Sequence, residues 1–253
     1  MSLSRPLYVD PNDASHAVVY LRTTGGGLAE NDRIRQRIFL DSGAQATVTT
    51  QAATNVHRMN AGLATQWVSF ILGEGAHLEY FPGHTTLYGG SRLVQLTDFD
   101  VPEESSFIAG EVTLAGRLAR GEKHEFDALG LSVRVMRNQI PLLADSLVTV
   151  GAGAGCSPLL WGEFPVWGTL LALGSTPRGS LMELCHSVLE DSAHVIDEAA
   201  PVVWGVSTMV GNVGAVVRFA SHSTIGVHRA MKLVHEAVRL ELCGKPSFDL
   251  RKM

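Results

Sequence analysis

Cysteine is scarce in this chain. Of 253 residues only Cys156, Cys185 and Cys243 are cysteine, and no two form a Cys-x-x-Cys pair. That excludes a disulfide framework and a zinc knuckle, and the three are expected as buried thiols. Positive charge is also in short supply, with 20 Lys and Arg against 25 Asp and Glu, a formal net charge of −5 and a pI near 6.0. This balance offers no basic stripe for a phosphate backbone, so no nucleic-acid partner is expected. No apolar run approaches the roughly 20 residues of a membrane-spanning helix. Met1-Ser2-Leu3-Ser4-Arg5-Pro6 lacks the apolar centre of a secretion signal, and the expectation is a soluble cytoplasmic protein without membrane contact.

Enzyme signatures are missing as well. Gly151-Ala152-Gly153-Ala154-Gly155-Cys156 fails the dinucleotide fingerprint at its last position, and there is no Gly-Lys-Ser/Thr phosphate loop. No Gly-x-Ser-x-Gly elbow occurs. His235-Glu236-Ala237-Val238-Arg239 lacks the second histidine of a zincin and is expected on a solvated helix face. Gly25-Gly26-Gly27 reads as a turn. Ten histidines are scattered without a close helical pair, so no converging metal-ligand set is expected.

What the chain does have is alternation. From about Val18 to Val150 the dominant period is two, the spacing of one strand face. Ile34, Gln36, Ile38 and Leu40 alternate with Arg33, Arg35, Arg37 and Phe39. Val68, Phe70 and Leu72 share a face, as do Leu78 and Tyr80, and Leu129, Leu131, Val133 and Val135 oppose Ser132, Arg134 and Met136. The turns Gly43-Ala44 and Gly75-Ala76 each precede a strand and suggest stacked hairpin-like units. After Pro158, strands and helices interleave. Ser180-Leu181-Met182-Glu183 is a capping box, and a hairpin runs from Val202 to Met209 and Val213 to Ala220 through Gly211-Asn212. A final amphipathic helix carries Val227, Ala230, Met231, Val234, Ala237 and Val238 and stops at Gly244. The expected fold is mainly β: a layered or β-helical stack of strands, with two α-helices in a C-terminal α+β portion. One domain spans 1–253, strand-rich over 1–157 and α+β over 158–253.

Acidic residues inside packed strands are the candidate site. Glu79 and Glu111 lie in apolar segments, and a buried carboxylate must be paired or hydrogen-bonded, otherwise desolvation costs roughly several kcal/mol. Arg117 and Arg120 are plausible partners. Two readings stand open: Glu111, Glu122, Arg117 and Arg120 form an internal ion-pair network that fixes the fold, or they line a polar, hydrated passage.

A series of segments in order resembles one family, the urease accessory proteins called UreD or UreH. These are Pro6-Leu7-Tyr8-Val9, Gly25-Gly26-Gly27-Leu28 through Asp32-Arg33, Thr49-Thr50-Gln51-Ala52-Ala53-Thr54, and Leu78-Glu79-Tyr80-Phe81-Pro82. Gly90-Ser91, the block Gly110-Glu111, Gly116-Arg117, Ala119-Arg120-Gly121-Glu122, then Val217-Arg218 and Leu250-Arg251-Lys252 complete it. Asn31 stands where relatives have glycine, a change asparagine tolerates because it accepts a left-handed backbone. The resemblance implies a scaffold chaperone, not an enzyme, working with the urease structural subunits, the helical accessory protein UreF and the GTPase UreG. It implies no stably bound cofactor and nickel only in transit, along an internal polar route. Carried over by motif position, Thr49, Thr50, Glu79, Glu111 and Glu122 are the candidate nickel path, with Arg117 and Arg120 as supporting ion pairs. The docking surface is unassigned, although an exposed stripe around Val234 would suit a partner. The competing expectation is a β-rich glycoside hydrolase using Glu111 and Glu122.

Overall fold

The computed structural model describes residues 2–174, 180–199 and 201–250. The chain begins with β1 (Ser2–Leu3) and β2 (Ala17–Arg22) in one sheet, crosses to β3 (Arg33–Leu40) in a second, and returns through β4 (Gln45–Thr50) and β5 (Thr54–Val56). It repeats that circuit with β6 (Ala64–Leu72), β7 (His77–Phe81) and β8 (Thr85–Leu87), then with β9 (Arg92–Asp100) and β10 (Ser106–Leu114). The smaller sheet closes with β11 (Ala128–Arg137) and β12 (Ile140–Val150). The larger is extended by β13 (Val166–Leu173), β14 (Val202–Thr208) and β15 (Gly214–Ser221). The result is a ten-stranded sheet facing a five-stranded one, ordered β12-β11-β9-β6-β3.

Successive coils pair in parallel, β2 with β4 with β7 with β10, and β3 with β6 with β9 with β11. Equivalent positions recur 32 residues apart, as Thr47 and Glu79 do. Here the structure departs from the hairpin-like units expected from the Gly-Ala turns. Gly43 and Gly75, both at positive φ, occupy the same corner of consecutive coils. A side-chain period of two is common to parallel and antiparallel strands, so alternation alone does not reveal which partner a strand takes.

Inward residues of the facing sheets make the core. Phe70 and Phe99 stack at 5.3 Å and Phe99 and Phe107 at 4.4 Å, with Tyr80 against Phe70 at 4.6 Å. Each such burial stabilises by about 1.5–3 kcal/mol, and each aromatic pair by about 0.5–1.5 kcal/mol more.

The outer face of the ten-stranded sheet is covered by helices α1 (Leu181–Asp191) and α3 (Thr224–Cys243), with α2 (Ala193–Ala199) packed against those two, one more helix than the sequence suggested. Ser180 caps α1 by accepting from the Glu183 amide at 3.3 Å, and Gly244 ends α3 at φ 65°. Residues Val227, Ala230, Met231, Val234 and Val238 of α3 are buried against the sheet, so this stripe is core and not a docking face. Gly110 and Gly168 let α3 lie that close: a Cβ on Gly110 would stand 2.6 Å from Phe81 and 2.7 Å from Met231, and one on Gly168 2.9 Å from Val227. Of the cysteines, only Cys185 is fully buried, where burial pushes its thiol up to about 12; Cys243 is partly buried and Cys156 exposed. The segment Leu250-Arg251-Lys252 lies, after Leu250, outside the described residues.

Candidate functional site

Strand alternation sends two kinds of side chain into the space between the sheets. Most are apolar. A polar row runs among them. Gln66 of β6 and Gln95 of β9 are register partners, and Gln95 donates its side-chain amide to Glu111 Oε1 on the opposite sheet at 3.0 Å. Thr97 donates to the same oxygen at 3.4 Å. Among the described residues no cationic side chain is bonded to Glu111, and burial pushes its carboxyl up to about 7, with the Thr97 hydrogen bond opposing only in part.

Two cavities meet this row. The larger, of about 690 Å³, is lined by Gln95, Thr97, Glu111, Thr169, Asp145 and Arg218 among others. The smaller, of about 450 Å³, is lined by Thr50, Thr54, Gln36, Gln66 and the Gly25 to Gly27 turn. Gln66 belongs to one cavity and its neighbour Gln95 to the other, so the pair stands between them. At the open edge of the larger cavity, Arg218 Nη2 meets Asp145 Oδ2 at 2.7 Å, joining β15 to β12 across the two sheets. Register puts this pair in the same layer as Glu111: Glu111, Thr169 and Arg218 are aligned on one sheet, and Thr97, Val133 and Asp145 on the other.

Glu79 belongs to a different compartment. Thr47, Thr49, His77, Glu79 and Phe81 project to the helix side of β4 and β7, opposite to Leu78 and Tyr80. There Glu79 is held by His235 Nε2 at 3.0 Å, Arg239 Nε at 3.1 Å and His77 Nε2 at 3.5 Å. Arg239 also pairs with the buried Asp10, Cys243 Sγ lies 3.2 Å from His77 Nε2, and Lys245 pairs with Asp13. Burial by itself would raise the Glu79 carboxyl, but the two histidines hold it well below the usual range. Burial would lower His77, yet Cys243 and Glu79 lift it to about 9. His235 and Arg239, expected on a solvated helix face, are thus packed against the sheet because Glu79 of β7 supplies a counter-charge to both and Asp10, from the far end of the chain, a second one to Arg239.

The expected residues therefore divide among three places. Thr50 and Glu111 face the space between the sheets. Thr49, whose hydroxyl donates to the Phe81 carbonyl, and Glu79 face the α3 layer. Glu122 sits in the corner after β10, ion-paired with Arg117 and accepting from the Gly89 amide at 3.0 Å. Arg117 does not reach Glu79 or Glu111, and Arg120 is exposed at the end of a short 3-10 turn, so neither arginine supports those two acids. Among the described residues Glu111 lines the larger cavity and bonds to Gln95 and Thr97, whereas Glu122 bonds to Arg117 and Gly89, so the two carboxyls have no common partner through which to act as a glycosidase pair. Among the described residues no group of three or more His, Cys, Asp or Glu side chains could hold a metal ion, and no helix is long and apolar enough to cross a membrane.

Residues 1–252 match the family described as UreD urease accessory protein. The chain belongs to the UreD family. It is 33% identical to a protein named urease accessory protein UreD 2 from Streptomyces griseus, over 100% of this chain and 85% of that relative. A UreD from Cenarchaeum symbiosum is 27% identical over 100% of this chain and 87% of its own length, and one from Brucella suis 28% over 96% and 80%. In this UreD-family chain, Asn31 adopts the left-handed backbone, φ 66°, that its place beside Asp32 suggested. The cavity residues that sequence reasoning did not single out are Gln66, Gln95, Thr97 and Asp145, and Arg218 was named only within the family segment Val217-Arg218. Their one signal was polarity at the inward position of an alternating strand, as with Gln36 between Ile34 and Ile38.

Proposed function

We propose that this chain acts in urease maturation as a cytoplasmic scaffold, and that nickel, its cargo, passes through the space between the two sheets. The observation that carries this reading is the row of Thr50, Gln66, Gln95 and Glu111 linking two cavities inside an otherwise apolar sandwich. Cavities this roomy, with polar side chains along part of their walls, suit ordered water, and a strongly hydrated divalent cation needs weak, successive oxygen contacts rather than a trap. Amide and hydroxyl oxygens are neutral and weak. Glu111 is the one carboxyl on the row, and because it takes up a proton near neutrality it binds and releases a cation readily. The chain's own work is conduction and orientation, without bond-making chemistry.

On this reading UreF docks on the scaffold, UreG delivers the ion, and the urease apoprotein receives it. Glu111→Ala, co-expressed with urease and the other accessory proteins, should lower the nickel bound per urease while the complex still co-purifies. Normal nickel content would remove Glu111 from the route. Loss of the complex itself would point to assembly instead.

A further inference from the structure

One end of the five-stranded sheet is a strand that carries a row of arginines. β3 pairs with β6, and among the described residues no strand pairs with its other edge. On the outward face of β3, Arg33, Arg35, Arg37 and Phe39 are all exposed. The overall charge of −5 conceals this local basic stripe, which the composition gave no reason to expect. Among the described residues none of the three arginines is ion-paired. Two of the guanidiniums rest on aromatic rings, Arg35 at 4.1 Å over Trp67 of β6 and Arg37 at 5.4 Å over Phe39. The three positions recur at every second residue of β3, about 7 Å apart along the strand, so their side chains leave the same face.

We propose that the β3 edge is a docking site for an extended acidic segment of another protein, added as a sixth strand. Carboxylates at alternate positions of the incoming strand would meet Arg33, Arg35 and Arg37. Its intervening side chains would lie beside the half-buried Ile34 and Ile38, where Val or Thr fits. A second copy of this chain is disfavoured, because pairing β3 with itself sets arginine opposite arginine. The inference does not depend on the nickel reading, since the edge lies on the outside of the sandwich.

The test uses the full chain and a fluorescently labelled peptide alternating Glu and Val, with binding read by anisotropy. Saturable binding is expected that weakens with added salt, and that falls roughly tenfold or more in R33E/R35E/R37E with unchanged circular dichroism. The same peptide with proline at alternate positions, unable to donate to the strand edge, should bind far less. Should the triple variant misfold, R35Q/R37Q must still weaken binding. Failure of the peptide to bind, equal binding to R35Q/R37Q, or equal binding of the proline peptide would overturn the proposal and leave β3 as a charged edge that only blocks aggregation.

Discussion

Gln95 donates to Glu111 across 3.0 Å from one sheet to the other, and that bond sets the character of the interior. Its donor is neutral. An arginine in its place would fix the carboxylate as an anion, whereas a glutamine leaves the charge uncompensated and its proton affinity high.

A pH dependence of stability follows. The folded-state pKa of Glu111, about 7, lies above the ordinary carboxylate value of 4.5, so its contribution is fully present below about 4.5 and is lost as pH rises through about 7. Glu111→Gln removes a group that must ionise in a buried place. Melting profiles should show the variant gaining on the parent between these values and staying ahead above them; parallel profiles would mean the carboxyl titrates normally.

Glu79 behaves in the opposite sense. Glu79→Gln leaves His77 and His235 without their counter-charge and Arg239 with Asp10 alone, and such a break costs about 3–5 kcal/mol. Because its carboxyl is held low, that stabilisation is present above the ordinary carboxylate range and is lost as pH falls. His77, raised to about 9, contributes most below its ordinary 6.5 and loses that contribution as pH rises through about 9. Urea unfolding near neutral pH measures the cost, and a change under about 1 kcal/mol would remove the cluster from the fold's main supports.

Close packing of α3 has its own test. Gly110→Ala puts a methyl group against Phe81 and Met231, and overpacking of this kind destabilises by about 1–3 kcal/mol. Chemical denaturation should register that loss. An unchanged midpoint would mean that the helix shifts freely on the sheet.

Much of this was legible in the chain. The strand faces of β3, β6, β7 and β11, the hairpin of β14 and β15, the Ser180 cap and the Gly244 stop all rest on local periods and local capping chemistry, which sequence carries directly. Coil stacking was hidden, because β3 finds its partner in β6 some 32 residues on and nothing in alternation names that partner. The divided fate of the acids was hidden for a related reason. Glu79 and Glu111 look alike in sequence, yet strand parity directs one toward α3 and the other between the sheets. His235 and Arg239 looked solvated because Asp10, one of their counter-charges, enters from the far end of the chain.

The most direct measurement is nickel per urease after co-expression with Gln66→Leu/Gln95→Leu, an exchange of similar volume that replaces the polar link between the two cavities with hydrocarbon. The variant should fold and co-purify with its partners, yet the urease recovered should be depleted in nickel and regain it only with excess metal. Urease loaded to the parental level would contradict the account, because the ion would then have travelled by some path other than the interior of the sandwich.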